Sequence, residues 1–441
     1  VIRAGVLTAV VGPAEALLVE ALGSADRLDV VRRCADLAEL LAAAEAGLGS
    51  VVLVSAGLPH LDHAAVDALR RTAGVVVGVA GADRPDEGDR LRAWTVDAVV
   101  AAPEDVPAAA EVVDAVLAAL DAAARPGLAP VARAVDRPGP HPVPVGTAVP
   151  RPPGRLVAVW GPTGAPGRTT VAVNLAAEVA ALGVRTLLVD ADTYGGAVAT
   201  AVGMLDEAPG LAAAVRAAGA GALDLPTLAR HAPVLGPDLR VLAGLARADR
   251  WPELPPAALD VVWARARELA ALTVVDTGFC LEEDELLTYD TRAPQRNGAT
   301  LSALDAADVV VVVGSADPVG LQRLVRGLDE LARRPAAAAR RLVVVNRVRP
   351  GVAGPDPGRA VRDVLARHAG VVDPVLVPED RDGVDAAVLE GRLLREVVPG
   401  SPARRALVGL AGALLPEEPS STPGPTRRQR LGRRHRATVA S

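Results

Sequence analysis

Short β-branched runs alternate with helical patterns along the first 124 residues. The runs cover 6–11, 28–31, 51–54, 75–79 and 96–100, and the clearest helical segments between and after them are 36–46, 64–72 and 106–120. Apolar runs this short suit strands buried on both faces, and the intervening three-to-four spacing suits amphipathic helices. Five βα units in series predict an α/β, flavodoxin-like doubly wound parallel sheet for 1–124. The pattern then stops. Residues 125–153 carry prolines at 126, 130, 138, 140, 142, 144, 150, 152 and 153 and read as an extended linker. Alternation resumes over 154–415, with strands expected at 156–160, 184–189, 239–243, 272–275, 309–313, 342–345 and 375–377. The final stretch, 416–441, is Pro/Ser-rich and then Arg-rich, with no apolar periodicity, and is expected to be a disordered basic tail.

Polar residues recur where the strands of 154–415 end, and open α/β sheets bind ligands at those ends. Asp190 and Asp192 follow 184–189, Asp276 follows 272–275, Asn346 follows 342–345, and Pro378 precedes Glu379 and Asp380 after 375–377. The first strand of this half runs into GPTGAPGRTT and then directly into a helical pattern. Strand, glycine loop, hydroxyl residue and helix form a phosphate-binding layout, because loop amides and a helix N-terminus attract anions. Against the general pattern G-x-x-x-x-G-K-[ST], Gly167, Arg168 and Thr169 fill the last three places, and Pro162 stands at the first glycine. A nucleoside triphosphate would then be held with Mg²⁺ on Thr169, Asp276 and Asp190, with Asp192 free to orient water.

The order of these residues, with the strand LLVDAD, resembles the MinD/ParA family of deviant Walker ATPases over 154–415. The family loop K-G-G-x-G-K-[ST]-[ST] falls on Thr163, Gly164, Ala165, Pro166, Gly167, Arg168, Thr169 and Thr170. The resemblance implies a P-loop fold, ATP and Mg²⁺ as ligands, switch aspartates at Asp190 and Asp192, a Walker B acid at Asp276 and adenine contacts from Asn346 and Pro378. It also implies a homodimer with nucleotide between the subunits, and partners in cell-division, pilus or secretion machinery. Two residues depart from the pattern: Thr163 replaces the signature lysine that crosses to the partner's phosphates, and Arg168 replaces the Walker lysine. Both departures predict weak or absent hydrolysis. Residues 279–300, between Asp276 and the next strand, correspond to the switch II region, where Arg296 could reach phosphates or a partner.

Residues 1–124 resemble a response-regulator receiver stripped of its chemistry. Ser55 stands where that family carries the phosphorylated aspartate, Gly12 and Pro13 where it carries an acidic pair, and Ala102 where it carries lysine. The reading is a pseudo-receiver kept for docking, with a generic flavodoxin-like domain as the alternative. The order pseudo-receiver, linker, ATPase resembles the CpaE-like branch, whose actinobacterial members include septum site-determining types.

Composition narrows the classes. In 441 residues, 50% are hydrophobic but only 2% aromatic, so the cores must be built from Val, Leu and Ala. All 47 basic residues are arginine, yet the net charge is −6, so any nucleic-acid or lipid contact must be local, as in the basic tail. Such a contact would put the protein at the inner face of the membrane, and a merely solvated tail would leave it cytoplasmic. Cys34 and Cys280 cannot build a disulfide framework, which suits a reducing cytoplasm. His60 and His63 read as surface-turn residues, without the cluster a metal site needs. The apolar start breaks at Gly12-Pro13 and reads as a strand, not a leader. Two further functional classes remain open: a nucleotide-independent docking scaffold and a metabolic P-loop enzyme.

Overall fold

The computed structural model describes residues 3–124, 153–204, 209–283, 294–334 and 339–415. The linker (apart from Pro153), the tail and residues 284–293 of the 279–300 segment thus lie outside the described residues. Strands β1 (Ala4–Ala9), β2 (Leu28–Arg33), β3 (Val51–Ser55), β4 (Val75–Ala80) and β5 (Ala98–Ala101) form a parallel sheet in the order β2-β1-β3-β4-β5. That is the flavodoxin-like order. Its helices are α1 (Ala14–Ser24), α2 (Leu37–Glu45), α3 (His63–Ala73), α4 (Pro85–Ala93) and α5 (Val106–Ala123). Asp36, Asp62 and Asp105 cap α2, α3 and α5, each accepting a backbone N–H at 2.8 Å; such a cap contributes about 1 kcal/mol. The first strand lies two residues earlier than its apolar run suggests, because Val10 and Val11 already belong to the turn at Gly12. Helix α4 carries a polar exposed face that hides its periodicity.

One histidine departs from the surface-turn reading. His60 lies in an exposed turn with φ of 64°, but His63 is buried. The Asp62 cap places His63 at the first position of α3, turned into the core, and burial lowers its pKa.

The second sheet has eight strands in the order β13-β12-β11-β6-β10-β7-β9-β8. They are β6 (Arg155–Trp160), β7 (Thr186–Ala191), β8 (Val234–Gly236), β9 (Leu239–Leu242), β10 (Leu272–Thr277), β11 (Val309–Ser315), β12 (Arg340–Val348) and β13 (Val375–Pro378). All pair in parallel except the edge strand β8, which is too short for its sequence to announce it. The helices in chain order are α6 (Arg168–Ala181), α7 (Val198–Ala201), α8 (Gly210–Gly219), α9 (Leu225–His231), α10 (Pro256–Leu269), α11 (Gly298–Asp305), α12 (Pro318–Ala332), α13 (Pro350–Ala353), α14 (Pro357–Ala369), α15 (Arg381–Glu390), α16 (Leu394–Val397) and α17 (Pro402–Leu414).

The two-residue period of the strands sorts the core. Val157 and Val159 of β6 face a cluster with α6 and α17, while Leu156, Ala158 and Trp160 face the helices on the other side. Central strands covered on both faces explain why their sequences are unbroken apolar runs. Where the two sheets' helices meet, the Trp94 indole donates to the Gly219 carbonyl at 3.2 Å. Beside it, a cleft of about 840 Å³ lies between α3 and the start of α10.

Candidate functional site

The site is built at the end of β6. After Trp160 the chain must turn over β11, and a Cβ at Gly161 would strike the Val313 carbonyl. Gly164 and Gly167 take φ of 70° and 89°, conformations that glycine adopts without strain. Gly167 starts α6 with no side-chain cap, so the first amides of the helix keep their bonding capacity for an anion.

Strand register then gathers the carboxylates. In the pairing of β10 with β7, Asp276 lies directly opposite Asp190, and in the pairing with β6 it lies opposite Val159, one residue before the loop strand ends. The Thr169 hydroxyl donates to Asp276 Oδ2 at 2.6 Å, and Asp276 Oδ1 is buried with no partner. Burial, with the nearby Asp190 charge, holds the Asp276 pKa well above the usual carboxylate range. Burial likewise pushes Asp190 up to about 7, against two backbone amides that stabilise its charge. Those amides belong to Asp192 and Val198, each at 3.1 Å. A Cβ at Gly196 or Gly244 would come within 2.8 or 2.7 Å of the Asp190 carboxylate, so both must be glycine for that enclosure to exist.

Asp192 accepts the Tyr194 amide at 2.9 Å and faces Arg168 Nη2 at 3.4 Å. Arg168 also points Nη1 to the Gly161 carbonyl at 3.4 Å, and its Nε is buried without a partner. An orphaned carboxylate oxygen beside a hydroxyl is the donor chemistry a hard divalent cation takes. Together with the open loop, this donor set fits a polyphosphate with a divalent cation: Thr169 and Asp276 could hold the metal, and the amides of Gly164 to Thr170 could hold the phosphates.

Asn346 reaches the same loop. A register shift between Val345 and Val348 re-aims it, and Nδ2 donates to the Pro166 carbonyl at 3.0 Å. Pro378 closes β13, three strands away from β6, and Thr163 is exposed on the loop. Arg296 donates to the Thr193 carbonyl at 2.9 Å and lies 4.0 Å from the Tyr194 ring centroid, so it braces the segment after Asp192.

The aromatic neighbours escaped the sequence reading. Tyr194 and Phe279 have ring centroids 4.8 Å apart, Arg168 lies over Phe279, and the Trp160 indole donates to the Phe279 carbonyl. A signal was there: the chain has one Phe, two Tyr and four Trp, and Phe279, Tyr194, Trp160 and Trp251 all lie in or beside this region.

A parallel sheet whose central strand ends in this loop, with a hydroxyl–carboxylate pair beneath it, defines a P-loop nucleotide-binding fold. The chain belongs to the CobQ/CobB/MinD/ParA nucleotide binding domain family, whose model matches residues 157–393. Among solved structures it is similar to a ParA family ATPase from Chlorobium tepidum TLS, with 18% identity, 59% of this chain and 98% of that chain covered, and a TM-score of 0.50. It is also similar to the cell division ATPase MinD of Pyrococcus furiosus, with 21% identity, 59% and 97% coverage and a TM-score of 0.46. A third is the septum site-determining protein MinD complexed with Mg-ADP from Pyrococcus horikoshii OT3, with 19% identity, 59% and 95% coverage and a TM-score of 0.46. No curated protein sequence matches the chain. Among the described residues no helix is long and apolar enough to cross a membrane.

Proposed function

We propose that this protein binds ATP–Mg²⁺ and works as a MinD/ParA-type positioning protein of the CpaE-like arrangement, with weak or absent hydrolysis. The observation that carries the reading is the Thr169–Asp276 pair with its free buried oxygen. A protein that used this fold only for docking would gain nothing from a buried carboxylate left unpaired, since such a group costs stability. Bound Mg²⁺ would neutralise charge between the terminal phosphates. Weak turnover is supported by Arg168, a broad planar fork where a compact ammonium belongs, facing Asp192 and the Gly161 carbonyl. It is supported also by Thr163, which brings no cation to a partner's phosphates. Losing one well-placed cation at a phosphoryl transition state costs roughly 10³–10⁵-fold.

The N-terminal unit is read as a pseudo-receiver. Ser55 ends β3, Gly12 and Pro13 follow β1, and Ala102 follows β5, so no carboxylate stands at these positions to take phosphate or Mg²⁺. Domain limits of 1–124 and 154–415, a nucleotide-bridged homodimer, partners in division, pilus or secretion machinery, and a tail contact with acidic lipid or nucleic acid belong to the same proposal.

The decisive experiment measures ATP binding with and without Mg²⁺, followed by single-turnover hydrolysis of the wild type beside Arg168→Lys with Thr163→Lys. Binding with slow turnover, accelerated in the double variant, is the expected result. No binding at millimolar ATP would hand the chain to the nucleotide-independent scaffold.

A further inference from the structure

We infer that Arg323, on the second turn of α12, supplies a cation to the phosphate cradle of its own chain, in place of the lysine missing at Thr163. This rests on the ATP-binding reading above. Helix α12 follows β11, the strand beside β6, so its first turns lie alongside the loop. Asp317 caps α12, accepting the Gly320 amide at 2.8 Å, and Gly320 packs so close to Ser315 that the helix start is tied to the strand end. From this fixed base Arg323 extends across the loop. Its Nη1 stands where a Cβ on Gly164 would be, next to Thr163, so any other side chain at 164 would displace the guanidinium. The glycine, with φ of 70°, thus serves the arginine as well as the turn.

Arg323 is exposed and has no carboxylate partner among the described residues, unlike Arg334 just after α12 or Arg349 just after β12. A guanidinium left unpaired over a loop whose amides favour anions has its charge and donors available for phosphate oxygens. It lies at the Gly164 end of the loop, away from Arg168 at the helix start, so the two arginines would flank the phosphate chain. The chemistry selects a polyphosphate with a terminal group carrying more than one charge.

The test is ATP and ADP affinity, each with Mg²⁺, for the wild type, Arg323→Ala, Arg323→Lys and the control Arg326→Ala. Arg326 loses the same charge from the same helix but lines an apolar groove beside α14. The expected result is an ATP affinity about ten-fold to a hundred-fold lower in Arg323→Ala, the range for a lost charge-assisted contact. The loss should be much smaller for ADP, partial in Arg323→Lys and absent in Arg326→Ala. Equal losses for ATP and ADP, or equal effects of Arg323→Ala and Arg326→Ala, would overturn the inference while leaving ATP binding intact. A wild type that binds neither nucleotide removes the reading and the inference together.

Discussion

The Asp276 carboxylate has opposite value in the empty and loaded protein. Empty, it is buried beside Asp190 with one oxygen unpartnered, and its ionised form is disfavoured. Asp276→Asn keeps an acceptor for Thr169 and removes the charge. Its melting temperature without ligand should therefore rise, while the further rise on adding ATP–Mg²⁺ should vanish; scanning fluorimetry reads both. For scale, a ligand at a hundred times its Kd stabilises by about 2.7 kcal/mol. A variant that melted lower than wild type without ligand would show that the carboxylate is needed for the fold itself. Asn346 has two separable jobs. Its bond to Pro166 holds the loop while Oδ1 accepts the Arg347 amide, and the N–H and lone pair left over would serve the adenine contact we propose. Asn346→Ala should weaken tripolyphosphate somewhat and ATP more. Equal losses by calorimetry would leave it as a loop strut alone.

Elements set the environment of the groups they carry. His63 is buried by the cap that starts α3, and burial lowers its pKa below 6.5. The unfolded chain then binds a proton that the native chain refuses. Stability from this group is therefore present above 6.5 and lost as pH falls through the lowered native value. Denaturation midpoints of His63→Gln should fall less between about pH 7.5 and about pH 5 than those of wild type; parallel profiles would exclude the histidine. The β3 end tells a different story. Ser55 cannot become an acyl phosphate, so beryllofluoride with Mg²⁺ should leave the N-terminal unit's amide spectrum unchanged, and a specific Mg²⁺-dependent adduct there would end the pseudo-receiver reading. The strand–helix alternation of that unit was legible because its strands centre on short Val/Leu runs, even in β2, which also carries Asp29, Arg32 and Arg33. Edge strand β8 was not, since three residues of an antiparallel pair carry no usable period.

At the scale of the molecule, the two units meet through their helices, α3 against α8 and α10. Trp94 is core to its own unit, and its indole N–H alone crosses to Gly219. Trp94→Phe keeps the apolar fill and removes that bond. A hydrogen bond of about 1 kcal/mol predicts roughly five-fold faster release of the N-terminal unit in limited proteolysis. An unchanged rate would mean that the α3–α10 packing alone holds the units. The link matters because Trp251, which lines the cleft between them, also stands 5.5 Å from Arg296, the residue that braces the segment after Asp192.

Local sequence sufficed for the parallel strands and for the loop, since strand runs, glycine positions and the helix start are written in consecutive residues. Thr169, Asp276 and Asp190 were recognisable as strand-end and loop-end chemistry for the same reason. Their meeting depends on the order β6-β10-β7 and on a register that sets Asp276 opposite Asp190 across 86 positions of chain. No local pattern encodes such a register. Tertiary structure alone brought Phe279 against Tyr194 beside Arg168, and carried Arg323 from a distant helix to Gly164. Each of these depends on which strands are neighbours, and that choice is made by burying apolar faces over the whole sheet rather than by any residue's near neighbours in the chain.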